Sequence, residues 1–213
     1  MRRFLVPALL GSALALPAAA QEHPLMQPSR DVMVEYQANG GNQAGPQMHT
    51  LRIYFTDHGM KTRVEGIGQP GYAIMDRGAN RMIMVMTNQR MYMEVPYDPH
   101  RAMTFDSKDG TFTRRGTDTV AGITCTVYDA QTQQHSGQVC VTTDGLLLRA
   151  KSNDPHQGGD LVATSVVYGP QAPALFAPPP DFQKFDASHM PPGMGPGGPG
   201  GPPGGPPGGP PPH

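Results

Sequence analysis

The chain has no tryptophan and only two cysteines among 213 residues. It also has no excess of positive charge, with 16 Lys and Arg against 17 Asp and Glu. Phosphate binding needs a basic surface, so this balance excludes a broad electrostatic nucleic-acid binder. Beyond the first twenty residues there is no apolar run long enough to span a bilayer as a helix. Sustained helical periodicity is missing too; Asp98–Met103 offers at most one turn. Catalytic signatures are equally scarce: no G-x-S-x-G elbow, no HExxH and no EF-hand loop. The eight histidines, at 23, 49, 58, 100, 135, 156, 189 and 213, show no metal-ligand spacing. Gly66-Ile67-Gly68-Gln69-Pro70-Gly71 does spell G-x-G-x-x-G. A dinucleotide loop must open a helix, whereas this one runs through Pro70 and Gly71 into a strand, so a turn is the better reading. The sequence therefore predicts a protein that is not an enzyme, with no catalytic residues, no cofactor and no metal site of the usual ligands.

The two ends differ from the middle. Arg2 and Arg3 precede an apolar stretch, Phe4–Leu16, and Ala18-Ala19-Ala20 follows with the small side chains expected before a cleavage point. Residues 1–20 are thus expected to be a secretion signal, leaving Gln21 first and the mature protein in the periplasm. With Arg2 and Arg3 gone, the expected net charge is 14 minus 17, or −3. At the other end, Met190–His213 holds 11 Pro and 10 Gly among 24 residues. Its Gly-Gly-Pro-Pro period is four, which fails the collagen requirement of Gly at every third position. A disordered tail over 187–213 is expected, either a dispensable spacer or a Pro-rich ligand for an envelope partner. Between the ends lie an N-terminal arm, 21–30, and a single domain, 31–186.

That domain reads as strands throughout. Asp31–Ala38, His49–Phe55, Lys61–Glu65, Tyr72–Asp76, Arg81–Thr87 and Arg90–Val95 come first, and Thr111–Thr117, Gly122–Asp129, Gly137–Thr143, Leu146–Ser152 and Leu161–Tyr168 follow. Turn residues such as Asp57-His58-Gly59, Arg77-Gly78 and Asp144-Gly145 separate them. The expectation is mainly β: an antiparallel meander of about eleven strands forming an open, unclosed barrel, with few or no helices. A Pro-rich exit, Pro170–Phe185, carries Ala174, Leu175, Phe176, Phe182 and Phe185, which could cover an open edge or mouth.

Cys125 and Cys140 fall on adjacent strands. In a secreted chain two cysteines predict a disulfide. Direct opposition of the pair would place Asp129 across from Ser136 and leave Ala130–His135 as the loop. No Cys-x-x-Cys and no flanking histidine points to a redox or metal pair instead.

Methionine, by contrast, is plentiful: 14 residues. Met82, Met84 and Met86 alternate on one strand, and Met91 and Met93 alternate on the next. A turn centred on Asn88-Gln89 sets Met86 opposite Met91 and Met84 opposite Met93. One hairpin earlier, Met75 falls opposite Met82. Met75, Met82, Met84, Met86, Met91 and Met93 would then share one sheet face. Three readings stay open: a Met-rich core, a pliable lining for a hydrophobic ligand, or soft thioether ligands for copper(I).

Several segments in order carry a resemblance. They are His58-Gly59-Met60-Lys61-Thr62-Arg63-Val64-Glu65, Ile74-Met75-Asp76, Met91-Tyr92-Met93-Glu94-Val95, Gly122-Ile123-Thr124-Cys125, Gly137–Arg149 and the exit Leu175-Phe176…Pro180-Asp181-Phe182. Together they resemble the uncharacterised periplasmic proteins, of unknown function, grouped with the LolA/LolB-like lipoprotein carriers. The resemblance implies an unclosed antiparallel barrel with a concave apolar face, which the carriers use for acyl chains. The resulting expectation is a non-catalytic envelope protein binding a lipid or lipidated partner. Copper binding through the Met patch, or a purely structural or interaction role, is the alternative.

Overall fold

A computed structural model describes residues 23–40, 47–66, 68, 70–97, 110–132, 136–153 and 160–186. The expected signal segment, the Gly/Pro tail and the turn at 98–103 lie outside these. Twelve strands form one sheet: β1 Val32–Gly40, β2 Gln47–Thr56, β3 Lys61–Gly66, β4 Tyr72–Asp76, β5 Arg81–Met86, β6 Met91–Pro96, β7 Thr111–Val120, β8 Ile123–Gln131, β9 Ser136–Val141, β10 Leu147–Ser152, β11 Asp160–Tyr168 and β12 Gln183–Phe185. Their spatial order is β12-β6-β5-β4-β3-β2-β1-β11-β10-β9-β8-β7. Every pairing is antiparallel except β12 against β6. The end strands β12 and β7 do not pair with each other, so the sheet is open. Among the described residues the helical content is one 3-10 turn, Pro173–Phe176. The mainly-β, open antiparallel expectation is met; the twelfth strand comes from the exit segment, whose Gln183–Phe185 extends the β6 edge.

The hairpins of the first half share a simple device. Asp57–Met60, Arg77–Asn80 and Thr87–Arg90 are four-residue turns. In each, the last N–H donates to the first C=O: Met60 to Asp57 at 3.0 Å, Asn80 to Arg77 at 3.2 Å and Arg90 to Thr87 at 3.2 Å. Each turn needs residues with positive φ, supplied by Asp57, His58, Gly59, Asn80 and Arg90. An even turn length preserves which face alternate residues occupy. With the pairing of β3 and β4, which sets Val64 opposite Ala73 and Thr62 opposite Met75, side chains that start on one face at β2 are still on it at β6.

The second half of the sheet folds over. Val32, Val34 and Tyr36 of β1 share one buried core with Val120 of β7, Cys125 of β8, Cys140 of β9 and Leu148 of β10. Strands that far apart in the sheet meet only if it curls toward that face. Tyr36 Oη closes the fold by donating to the Leu147 carbonyl at 2.6 Å. On the opposite face, Phe112, Tyr128, Ala130, Val139, Val141 and Ala150 pack under Met26 from the N-terminal arm. The His23 ring stands edge-on to Phe112, with centroids 5.5 Å apart.

The arm is fixed between two turns. Pro28 is fully buried. Ser29 N–H donates to the Asp144 carbonyl at 2.8 Å, and His58 Nδ1 lies 2.8 Å from the Ser29 carbonyl. Burial works against ionising Asp144, yet hydrogen bonds from Thr142 and Arg30 hold its carboxyl below its ordinary value. Gly145 sits at φ +90°, and a Cβ there would lie 2.1 Å from the Gln27 carbonyl.

The cysteines are bonded, with Cα atoms 5.4 Å apart, but not by the expected register. Cys140 lies opposite Val127, Asp129 opposite Gln138, and Gln131 opposite Ser136. The bond thus runs diagonally, and the connecting loop is shorter than Ala130–His135. The physical reason is Ala130, which is buried beside Phe112 and Val139 when β8 continues. A shift of two residues keeps both sulfurs on the same face, so the disulfide still closes.

Candidate functional site: an uncharged methionine face

The structure brings all six predicted methionines onto one face of β4–β6. Met75 lies opposite Met82; Met82 lies opposite Val95, Met84 opposite Met93, and Met86 opposite Met91. Met93 is buried, at 6% exposure; the other five are half-buried. Val85 and Ile83 point the other way. With Ile74 they form a separate buried cluster, on which Phe176 and Phe182 pack. The exit segment thus covers the back of these strands rather than a barrel mouth. Arg63 fastens it by donating to the Leu175 carbonyl at 3.0 Å.

The methionine face continues well beyond its hairpins. Met75 lies opposite Thr62, and Ala73 opposite Val64. Thr62 lies opposite Phe55, and Val64 opposite Ile53. Phe55, Ile53 and Leu51 in turn lie opposite Val32, Val34 and Tyr36. This is therefore the face toward which the second half curls. From Leu51 on β2 to Val95 on β6 it carries no charged side chain.

The charges of the same strands stand on the reverse face. Arg52 donates to Glu35 from Nη2 at 2.5 Å, and Arg63 Nε donates to Glu65 at 2.6 Å. Arg81 lies 3.9 Å from both Asp76 and Glu94. Lys184 of β12 donates to Glu94 at 2.8 Å, which raises the Lys184 pKa. Arg63 also lies over the Tyr72 ring, 3.4 Å from its centroid. A shallow groove of about 380 Å³ beside Glu94, Lys184, Phe185 and Asp186 belongs to this charged edge.

One polar group breaks the pattern. Thr62 is 3% exposed, and its hydroxyl oxygen has no hydrogen-bond partner. Buried polar groups are almost always paired, so this exception marks the middle of the face. Sequence reasoning placed the methionines but missed Thr62 and the continuation through Val64 to Phe55. The signal was the four-residue length of the Asp57–Met60 turn, which carries the face from β3 to β2. Chemically, the face offers polarisable, unbranched side chains and no ionised group. Among the described residues no cluster of His, Cys, Asp or Glu is arranged to hold a metal, and both thiols are consumed in the disulfide. No helix among them is long and apolar enough to cross a membrane.

Known proteins add the following. No curated protein matches the chain. Among solved structures, an uncharacterized conserved protein from Thermus thermophilus superimposes with a TM-score of 0.52 and 13% identity, over 74% of this chain and 90% of that one. MucB superimposes with a TM-score of 0.51 and 14% identity, over 79% of this chain and 65% of MucB. The chain thus spans just under two-thirds of MucB. A domain provisionally assigned to outer-membrane lipoprotein sorting, from Vibrio parahaemolyticus, matches at a TM-score of 0.36 and 9% identity, over 65% of this chain and 85% of that one. At these identities the likeness to the first two is one of fold. Residues 46–163, more than half of the sequence, match the family described as Domain of unknown function (DUF4412). That span holds both methionine hairpins and both cysteines, and by it the chain belongs to the DUF4412 family.

Proposed function

We propose that this is a non-catalytic cell-envelope protein whose methionine face holds an apolar ligand, either an acyl chain or the lipid of a lipidated partner. One observation carries the reading. The face from Leu51 to Val95 bears no charge and is mostly half-buried, while the reverse face of the same strands bears Arg52, Arg63, Glu65, Asp76, Arg81 and Glu94. Leu51, Ile53 and Phe55 at the β2 end pack against the main core, so the half-buried methionines of β4–β6 are the part of this face proposed to meet a ligand. Each Å² of hydrocarbon buried there gains roughly 25 cal/mol. Unbranched thioether chains repack around acyl chains of varied length. The signal-like N-terminus and the disulfide support a periplasmic location. The Gly/Pro segment over 187–213 is read as a spacer able to reach an envelope partner.

Copper(I) is the second reading, favoured by the three cross-strand methionine pairs. It needs two to four sulfurs converging on a point, and holding flexible methionines there costs rotamer entropy, up to about 2 kcal/mol each. Native mass spectrometry of protein purified from the envelope separates the two. Co-purified lipid that persists in a Met84→Leu/Met93→Leu variant is the expected result. Copper that is present in wild type and absent from the variant would reverse the order. Protein free of both, which also fails to bind a fluorescent fatty acid, would reduce the face to packing.

A further inference from the structure

We propose that the methionine face is also a modification site, at which a hydroperoxide converts thioethers to sulfoxides and so turns an apolar surface polar. The proposal rests on the ligand reading above, whose site it would regulate. Met75, Met82, Met84, Met86 and Met91 are half-buried neighbours across three strands, with Met93 buried among them. Exposed thioethers are the susceptible ones, and sulfoxides disrupt methionine-rich interfaces. In the reaction a sulfur lone pair attacks one peroxide oxygen. An S–O bond forms, the O–O bond breaks, and water or an alcohol leaves with the proton. Sulfur loses two electrons and the peroxide gains them. Reduction by methionine sulfoxide reductases reverses the change.

Two features make the switch local and legible. The strand positions of the face carry no ionised group to solvate several new S=O dipoles, and Arg77, in the turn after Met75, lies over the Tyr97 ring, so an oxidised side chain held against hydrocarbon lacks a partner. The exception is position 75. Among the described residues from Leu51 to Val95, Thr62 supplies the one hydroxyl on this face; it is buried and unpartnered, and it lies opposite Met75. A sulfoxide at Met75 therefore has a donor waiting, which makes Met75 the modification that the fold accommodates best.

The test treats the whole mature protein with hydrogen peroxide and follows three readouts: peptide mapping of sulfoxides, retention on a hydrophobic-interaction column, and titration with cis-parinaric acid. Met48, 69% exposed, stands on the reverse side of β2 and serves as the internal reference. Sulfoxides are expected at Met75, Met82, Met84, Met86 and Met91 before Met93. Retention should fall, with affinity dropping about tenfold. Sulfoxide reductases should restore both. A Met75→Leu/Met82→Leu/Met84→Leu/Met86→Leu/Met91→Leu variant should show the same affinity before and after peroxide, whatever that affinity is; if it does not fold, Met84→Leu/Met86→Leu should lose a smaller share of its own affinity than wild type does.

Face methionines still unmodified when Met48 is fully converted would overturn the proposal. So would an oxidised face with unchanged retention, or a Leu variant that loses affinity as wild type does. If wild type never binds the fatty acid, the ligand reading fails by itself; falling retention would still support the modification site.

Discussion

Single side chains set the terms of this fold, and Thr62 is the most informative. Its hydroxyl is buried without a partner, a state that costs about 1–3 kcal/mol in desolvation. Thr62→Val keeps the shape and removes the orphan oxygen. Thermal and urea melts should show a gain of about 1 kcal/mol; a loss would mean that the hydroxyl has a partner. Tyr36 is the opposite case. Its hydroxyl donates to Leu147 within the curled core, and burial, helped by Tyr168, raises its pKa. Unfolded tyrosine ionises near about 10, so between that value and the higher folded one the folded state binds more protons. Stability from Tyr36 is complete below about pH 10 and falls as pH rises beyond it. Tyr36→Phe should lose about 1–2 kcal/mol at neutral pH and show a shallower decline above about pH 10. An equally steep alkaline decline in both proteins would place the effect elsewhere.

Among the elements, the hairpins were legible in the sequence and the long-range contacts were not. Alternation and turn residues mark the first eleven strands, because both signals are local. The methionine register followed from a single turn, since even turn lengths keep the faces aligned. The disulfide register did not follow, because Ala130 gains burial by extending β8, and that gain comes from Phe112 and Val139 on other strands. β12 was invisible for the same reason: three residues following a Pro-rich run have no pattern of their own, and the β6 edge makes them a strand. The N-terminal arm shows the limit most clearly. Nothing local in Gln27-Pro28 foretells its place between the turns at Gly59 and Gly145. Gly145→Ala adds both a positive-φ penalty and a Cβ against the Gln27 carbonyl. It should cost at least about 2 kcal/mol and expose the arm to protease in limited proteolysis. A melt within error of wild type would show that the arm yields easily. Reducing Cys125–Cys140, 15 residues apart, should cost about 3 kcal/mol through the unfolded chain, seen as a lower urea midpoint. No change in the midpoint would assign that constraint to the core alone.

At the scale of the molecule, one sheet carries two unlike surfaces. The back of β4–β6 is closed by Phe176 and Phe182 and rimmed by ion pairs, while the front is left uncharged and rich in methionine. Closing a sheet on one side and leaving the other free of charge makes sense if the free side meets hydrocarbon. That claim is tested most directly by placing one negative charge on each surface, Met84→Asp on the front and Arg81→Asp on the back, and titrating both folded variants with a fluorescent fatty acid. The account predicts that Met84→Asp weakens binding by about tenfold or more while Arg81→Asp stays close to wild type. Equal affinities for all three proteins, or a loss confined to Arg81→Asp, would contradict it.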